Sequence, residues 1–438
     1  MEWYYVLLIL IGSLLLFMLL GLPIVFAFFA ANLIGAFLFM GGDKGLAQLV
    51  RNAVDATQSF SLLPIPLFIF MGEIMFHSGV AARAVDAVDR VIARVPGRLS
   101  LVAIAGGTIF SSLSGSTIAN TAMLGSTLLP EMYKRGYKPE ISIGPIVAVG
   151  GIAMLIPPSA LAVLLGSIAR IPIGDLLLAS IIPALILAVL FYVYVILRCM
   201  LDPTIAPAYD IEGMSWGQRI RPFLLHVVPL FCIFFVVVGS IVAGIATPTE
   251  SAALGVASSL AVATAYRSLH WKNFLEAVRQ TLRFSIMTLF IICGSITFSQ
   301  ILAFSGASGE LSRLIIQSNF TPLFILLGML AILMALGCFM DQVSMMMITM
   351  PLYMPIVEQM GYNVVWFGVL VLLIMEISLA TPPFGLLLFV AKGAAPASTT
   401  MRQVIVSVLP FIFMALLLVV LLIAAPQITL FLPNLMSP

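Results

Sequence analysis

Apolar runs of 18 or more residues recur from one end of this chain to the other, and each is long enough to cross roughly 30 Å of hydrocarbon as a helix. Within lipid a spanning segment must satisfy its own backbone polar groups, which leaves helices and closed barrels. The alternating pattern of barrel strands is missing, so the chain reads as an all-α polytopic membrane protein. Composition agrees: of 438 residues, 62% are hydrophobic and 9% charged, where a soluble domain carries about 25% charged residues. The first run, Tyr4 to Leu20, has no basic residue ahead of it and no small-residue cleavage site, so it is expected to stay as a span.

Several functions fall away. The net charge is +2 with basic residues scattered over connections, which gives no stripe for a nucleic acid. Cys199, Cys232, Cys293 and Cys338 show no C-x-x-C spacing and read as packing residues. His77, His226 and His270 lie far apart near expected span ends, which favours interfacial anchoring over metal binding. Neither H-E-x-x-H nor a Walker-type G-x-x-x-x-G-K-[ST] occurs, so no zinc protease or ATP motor is encoded in these residues. The "SLSG" tetrapeptide lacks the leading glycine of an intramembrane serine protease. No enzyme is expected.

The chain repeats itself. Gly136-Tyr137 falls on Gly361-Tyr362, Pro157-Pro158 on Pro382-Pro383 and Pro130 on Pro355, all at an offset of 225; "FHSGVA" from Phe76 meets "AFSGAS" from Ala303 at 227. Duplicated halves are a common plan of secondary transporters. The Pro- and Gly-rich stretch "RCMLDPTIAPAYDIEGMSWGQRIRP" is the natural joint between the halves.

Short cytoplasmic loops hold an excess of Lys and Arg. The connections around "SSLSGSTIAN" carry Arg83, Arg90, Arg94 and Arg98, then Lys134, Arg135 and Lys138, whereas the matching connections of the second half carry only Arg313. The halves are therefore expected to be inverted. Both flanks of segment 99–133 are basic, so it should enter from the cytoplasm and return, a re-entrant hairpin with its tip near Ser112 to Thr117. Its counterpart, 322–355, should enter from outside with its tip near Gly337 to Ser344. About eleven spans plus two hairpins result, with 201–222 a cytoplasmic linker. Lys44, Arg51 and Arg170 would lie outside, against the charge rule.

Irregular backbone at membrane depth occurs only where it is buried in protein or lines a cavity. Such breaks are expected at the two tips and at "LIPPSA" and "LATPPFG", where paired prolines remove helical donors and push the preceding residue out of the α region. A broken helix frees carbonyl and hydroxyl oxygens, ligands in kind for a hard alkali cation. Half-helix N-termini beside the gap would attract a carboxylate. Serine and glycine also serve close helix packing, but two tips and two breaks at matched offsets favour one midplane site. Asp341 is a carboxylate at an expected tip, and it admits three roles: sodium ligand, proton carrier or helix cap. Glu73, Glu250 and Glu376 also fall in or beside apolar runs; Glu250, after Pro248, reads as a first-turn residue.

With these residues in place, the chain resembles the large membrane subunit of the tripartite ATP-independent periplasmic (TRAP) transporters. The marks are "GLPIVFAF", "SLSGSTIANTAMLGSTLLPEM" followed by "RGY", "IPPS", "ATPTESAALG" and "GCFMDQVSMMMITMPLYMPI". The resemblance implies a multi-pass protein of the bacterial inner membrane that imports an organic acid of the sialic acid or C4-dicarboxylate type by an elevator movement. It implies coupling to two or more sodium ions with no organic cofactor, a periplasmic substrate-binding protein, and a small four-helix membrane subunit on a separate chain. Scaffold helices and an arm would occupy 1–98 and 223–321; hairpins and transport helices would occupy 99–200 and 322–438. One sodium is carried over to Ser112, Ser114, Gly115 and Ser116 with Ile156 and Pro157. A second goes to Gly337, Cys338 and Asp341 with Ala380, Thr381 and Pro382. Substrate contacts go to Ser116, Thr117, Asn120, Ser159, Ser344 and Gly385. "MDQVS" departs from the serine-rich first tip, so the two sites should differ. The rival reading is a standalone divalent-anion/sodium symporter that needs no binding protein.

Overall fold

The computed structural model describes residues 2–92, 95–114, 116–207, 216–318 and 320–436, without the side chains of 57, 61 and 112–114. The described residues form helices and no strand. The first half runs α1 (Trp3–Leu19), α2 (Ile24–Phe39), α3 (Asp43–Thr57), α4 (Pro64–His77), α5 (Val80–Val91), α6 (Arg98–Ser114), α7 (Thr117–Lys134), α8 (Pro139–Gly150), α9 (Ala160–Ala169) and α10 (Ile173–Leu201). The second runs α11 (Trp216–His226), α12 (Val228–Val242), α13 (Pro248–Ala265), α14 (Trp271–Phe304), α15 (Ala307–Gln317), α16 (Pro322–Gly337), α17 (Gln342–Gln359), α18 (Val364–Leu379), α19 (Leu386–Ala394), α20 (Met401–Ala424) and α21 (Gln427–Met436).

The offsets of the sequence recur in the backbone. Helices α7 and α17 each have 18 residues and begin 225 positions apart. Each is capped by the residue before it: the Ser116 side chain accepts from Ala119 N–H and the Asp341 side chain from Ser344 N–H. Gly136 and Gly361 close the two helices' far ends at φ 78° and 70°, a conformation that glycine adopts without a Cβ clash. Gly79 and Gly306, at φ 71° and 73°, start the amphipathic helices α5 and α15. The chain bends by 63° between α4 and α5.

Both proline pairs interrupt a run that hydropathy alone would read as one span. Between α8 and α9 the chain is irregular over 151–159, and between α18 and α19 over 380–385. These breaks and tips explain why the expected count of eleven spans is not reached by length and composition. Among the described residues, Ile173–Leu201, Trp216–Val242, Trp271–Phe304 and Met401–Ala424 are each long and apolar enough to cross a membrane, and α4 with α5 forms a fifth candidate. The remaining apolar helices are 10–17 residues long; α6, α8, α9, α16 and α18 among them end or begin at those interruptions, whereas α1 and α2 are separate short helices.

Packing divides the helices into two groups. Helix α14 lies against α2, α3 and α4, and α13 against α4 and α12; in the other group α8 lies against α6, α7 and α20, and α18 against α16, α10 and α20. The groups meet where α4 touches α6 and α9, where α14 touches α17 and where α12 touches α6 and α10. Glu250 takes the first-turn role expected of it. Its carboxylate accepts from Thr247 N–H at 2.7 Å while Thr247 Oγ1 accepts from Glu250 N–H at 3.3 Å, a reciprocal capping box. Thr247→Ala should therefore cost about 1 kcal/mol, read as a small drop in the melting temperature of the detergent-solubilised protein.

Candidate functional site at the paired hairpin tips

Helix α6 ends at Ser114 and α7 starts at Thr117; α16 ends at Gly337 and α17 starts at Gln342. The two tips are far apart in sequence but open on one cavity of about 170 Å³, lined by Ser116 and Thr117 from one and Asp341 and Gln342 from the other, with Ala160 and Glu73 beside them. Ala160 is the first residue of α9, capped by Ser159, whose hydroxyl accepts from Ala162 N–H at 3.2 Å. Three helices thus begin at this cavity. Each N-terminus carries about half a positive charge, a setting that suits an anion. The carboxylate of Asp341 offsets one of the three.

A further residue, one that sequence reasoning gave no site role, holds the first tip in place. Glu376, in the last turn of α18, is 2% exposed. Its Oε1 accepts from Thr117 Oγ1 at 2.7 Å and from the backbone N–H of Met154 at 3.2 Å. Gln342 Nε2, from the second tip, donates to Met154 Sδ at 2.9 Å. The Glu376 carboxyl therefore joins the first tip, the first break and α18, and Met154 carries the contact on to the second tip. The signal was present: an acid six positions before Pro382, at offset 225 from Gly151. What hydropathy does not supply is which neighbour the acid faces.

The other expected residues fall in separate places. Gly115 lies outside the described residues, and so do the side chains of Ser112 and Ser114. Asn120 is buried inside the first hairpin; it donates to Ser111 Oγ at 2.6 Å and to the Gly107 carbonyl at 3.3 Å, clamping the two arms. Ile156 and Pro157 line a different, apolar cavity with Phe231, Phe234 and Phe235 of α12. At the second tip Gly337 abuts Ser378, and Cys338 approaches the Pro382 carbonyl with its Sγ at 3.7 Å. Asp341 accepts from Ser344 twice, from N–H at 3.2 Å and from Oγ. Of the three roles open to Asp341, capping is the one its visible hydrogen bonds serve. Ala380 ends α18, Thr381 Oγ1 donates to the Ile377 carbonyl at 2.7 Å, and Gly385 N–H donates to the Thr381 carbonyl at 3.1 Å. The second tip and second break are thus in contact. Glu73, beside the tips, pairs with His77 at 3.2 Å.

An all-helical body in which two hairpin tips and a broken helix meet on one cavity has the build of a membrane transporter. The crystal structure of the Alcanivorax borkumensis YdaH transporter shares this fold, with a TM-score of 0.63, 13% identity and 91% of each chain covered. The family profile described as "Tripartite ATP-independent periplasmic transporter, DctM component" matches residues 11–428, and the chain belongs to that family. It is a permease component of a transporter and not an enzyme. Among its relatives, the ectoine TRAP transporter large permease protein TeaC of Halomonas elongata is 30% identical over 98% of this chain and 99% of its own. The C4-dicarboxylate TRAP transporter large permease protein DctM of Pseudomonas aeruginosa is 27% identical over 88% and 89%. The sialic acid TRAP transporter large permease protein SiaM of Vibrio cholerae is 27% identical over 95% of each chain.

Proposed function

We propose that this chain is the large permease of a sodium-coupled importer of an organic acid, of the sialic acid or C4-dicarboxylate class, in the bacterial inner membrane. The supporting observation is the meeting of both tips and three helix N-termini on one cavity. That arrangement favours a carboxylate, and relatives named for C4-dicarboxylates and sialic acid point the same way. A periplasmic binding protein delivers the acid, and a small four-helix subunit completes the membrane assembly. The two halves are inverted repeats, with about eleven spans and two re-entrant hairpins. Helices α6–α10 and α16–α21 move as an elevator along α4 and α14. Sodium is cargo, drawn to the uncharged oxygens of the tips and breaks.

The test is uptake into proteoliposomes that hold this chain and the small subunit, with the binding protein outside and labelled N-acetylneuraminate, succinate or ectoine as probe. Uptake should follow an inward sodium gradient and fall to background when potassium replaces sodium. Uptake indifferent to sodium overturns the coupling. Uptake undiminished without the binding protein favours the standalone symporter.

A further inference from the structure

The two oxygens of Glu376 sit in opposite surroundings. Oε1, beside the start of α7, receives the Thr117 and Met154 donors. Oε2 is buried and has no hydrogen-bond partner. It lies on the side of Gly151: a Cβ built there would come 3.7 Å from Oε2 and 3.3 Å from the Ala148 carbonyl oxygen. That carbonyl belongs to the last turn of α8. Its regular helical donor, Ile152 N–H, bonds instead to the Val149 carbonyl at 3.2 Å. Ala148, Gly151 and Glu376 share a cavity of about 30 Å³ with Leu187, Phe191 and Phe411, which is room for about one or two waters.

Facing the Glu376 carboxyl are Thr117 from α7, Gln342 from α17, Met154 and Gly151 from the break, and the apolar side chains of α10 and α20. None of these is charged or titratable. An ionised carboxylate would leave an oxygen beside the negative end of α8, without a protein donor and against an apolar wall. A carboxylic acid meets both needs. Its carbonyl oxygen accepts from Thr117 and Met154, and its O–H points toward the open end of α8.

We propose that Glu376 is a proton-binding site of the transport cycle, protonated while the first tip is docked as seen here and deprotonated when the tip parts from it and water enters. In that step the O–H bond breaks, the electron pair stays on the carboxylate and the proton passes to water. Each cycle then carries a proton in addition to the cations already proposed, and the flux part of this inference rests on the transport reading.

Two measurements on the full membrane complex in proteoliposomes test it. The first is infrared spectroscopy of protein carrying isotope-labelled glutamate. A protonated-carboxyl band should be present at neutral pH, absent in Glu376→Gln and shifted in Glu376→Asp. If Glu376→Gln removes no such band, the proposal is overturned. The second is net uptake with a pH dye in the lumen and labelled N-acetylneuraminate, succinate or ectoine outside. The lumen should acidify with uptake in the wild type, and Glu376→Gln should lose net uptake by about tenfold or more while still exchanging labelled for unlabelled acid. A lumen pH that does not move, or net uptake by Glu376→Gln equal to wild type, overturns it. If none of the probes enters wild-type vesicles, the transport reading fails and the infrared result alone decides.

Discussion

Glu376→Ala should destabilise the folded chain by about 2–6 kcal/mol, because the Thr117 hydroxyl and the Met154 N–H are both left buried without an acceptor, at about 1–3 kcal/mol each. Glu376→Gln keeps an acceptor oxygen in the same place and should melt close to wild type. A thermal melt of the two purified variants in detergent separates them. Equal melting temperatures would mean that the carboxyl does not hold the first tip. The difference matters because it separates two uses of one residue: the alanine variant reports on the hydrogen bonds, whereas the glutamine variant isolates the proton.

The second large effect is expected at Gly337. A Cβ there would fall 1.9 Å from Ser378 Oγ and 2.4 Å from Ser378 Cβ. Ser378 is fully buried, with its hydroxyl tied to the Met375 carbonyl at 2.6 Å, so it has no room to retreat. Overpacking of this kind costs about 1–3 kcal/mol. Gly337→Ala should therefore lower the yield of folded protein and push α16 away from α18. Because the overlap includes Ser378 Cβ, Ser378→Ala should not relieve it, while Ser378→Gly should. A Gly337→Ala, Ser378→Gly double variant that melts no higher than Gly337→Ala alone would refute this steric account.

Much of the framework was legible because it is written in local chemistry. Paired prolines remove donors wherever they stand, so the breaks at 151–159 and 380–385 followed from "IPPS" and "TPPF" without knowledge of neighbours. The matched offsets, Gly136-Tyr137 on Gly361-Tyr362 among them, tied one half to the other. The site was less legible. Ser116 and Asp341 were found as tip residues, but their capping bonds reach only three positions along the chain, which is why they could be guessed. Glu376 bonds to Thr117 across 259 positions. No periodicity in "LLIMEISLATPP" says that this face of the helix meets a hairpin from the other half. Asn120 shows the converse: a polar residue beside the tip looked available to substrate, yet its amide is spent between the arms of its own hairpin.

Glu376 and Gly151 occupy corresponding positions in the two halves and stand face to face, close enough that a Cβ on Gly151 would lie 3.9 Å from that of Glu376. Such a pair sits where a two-fold axis relating the halves would pass. A symmetric ancestor made of two identical half-length chains would have had two acids there, repelling at contact distance, or none. A lone carboxyl on an axis is available only to a fused chain whose halves are free to diverge. Two unlike halves in one chain can thus hold in common a single acid, where two identical half-length chains would hold two or none.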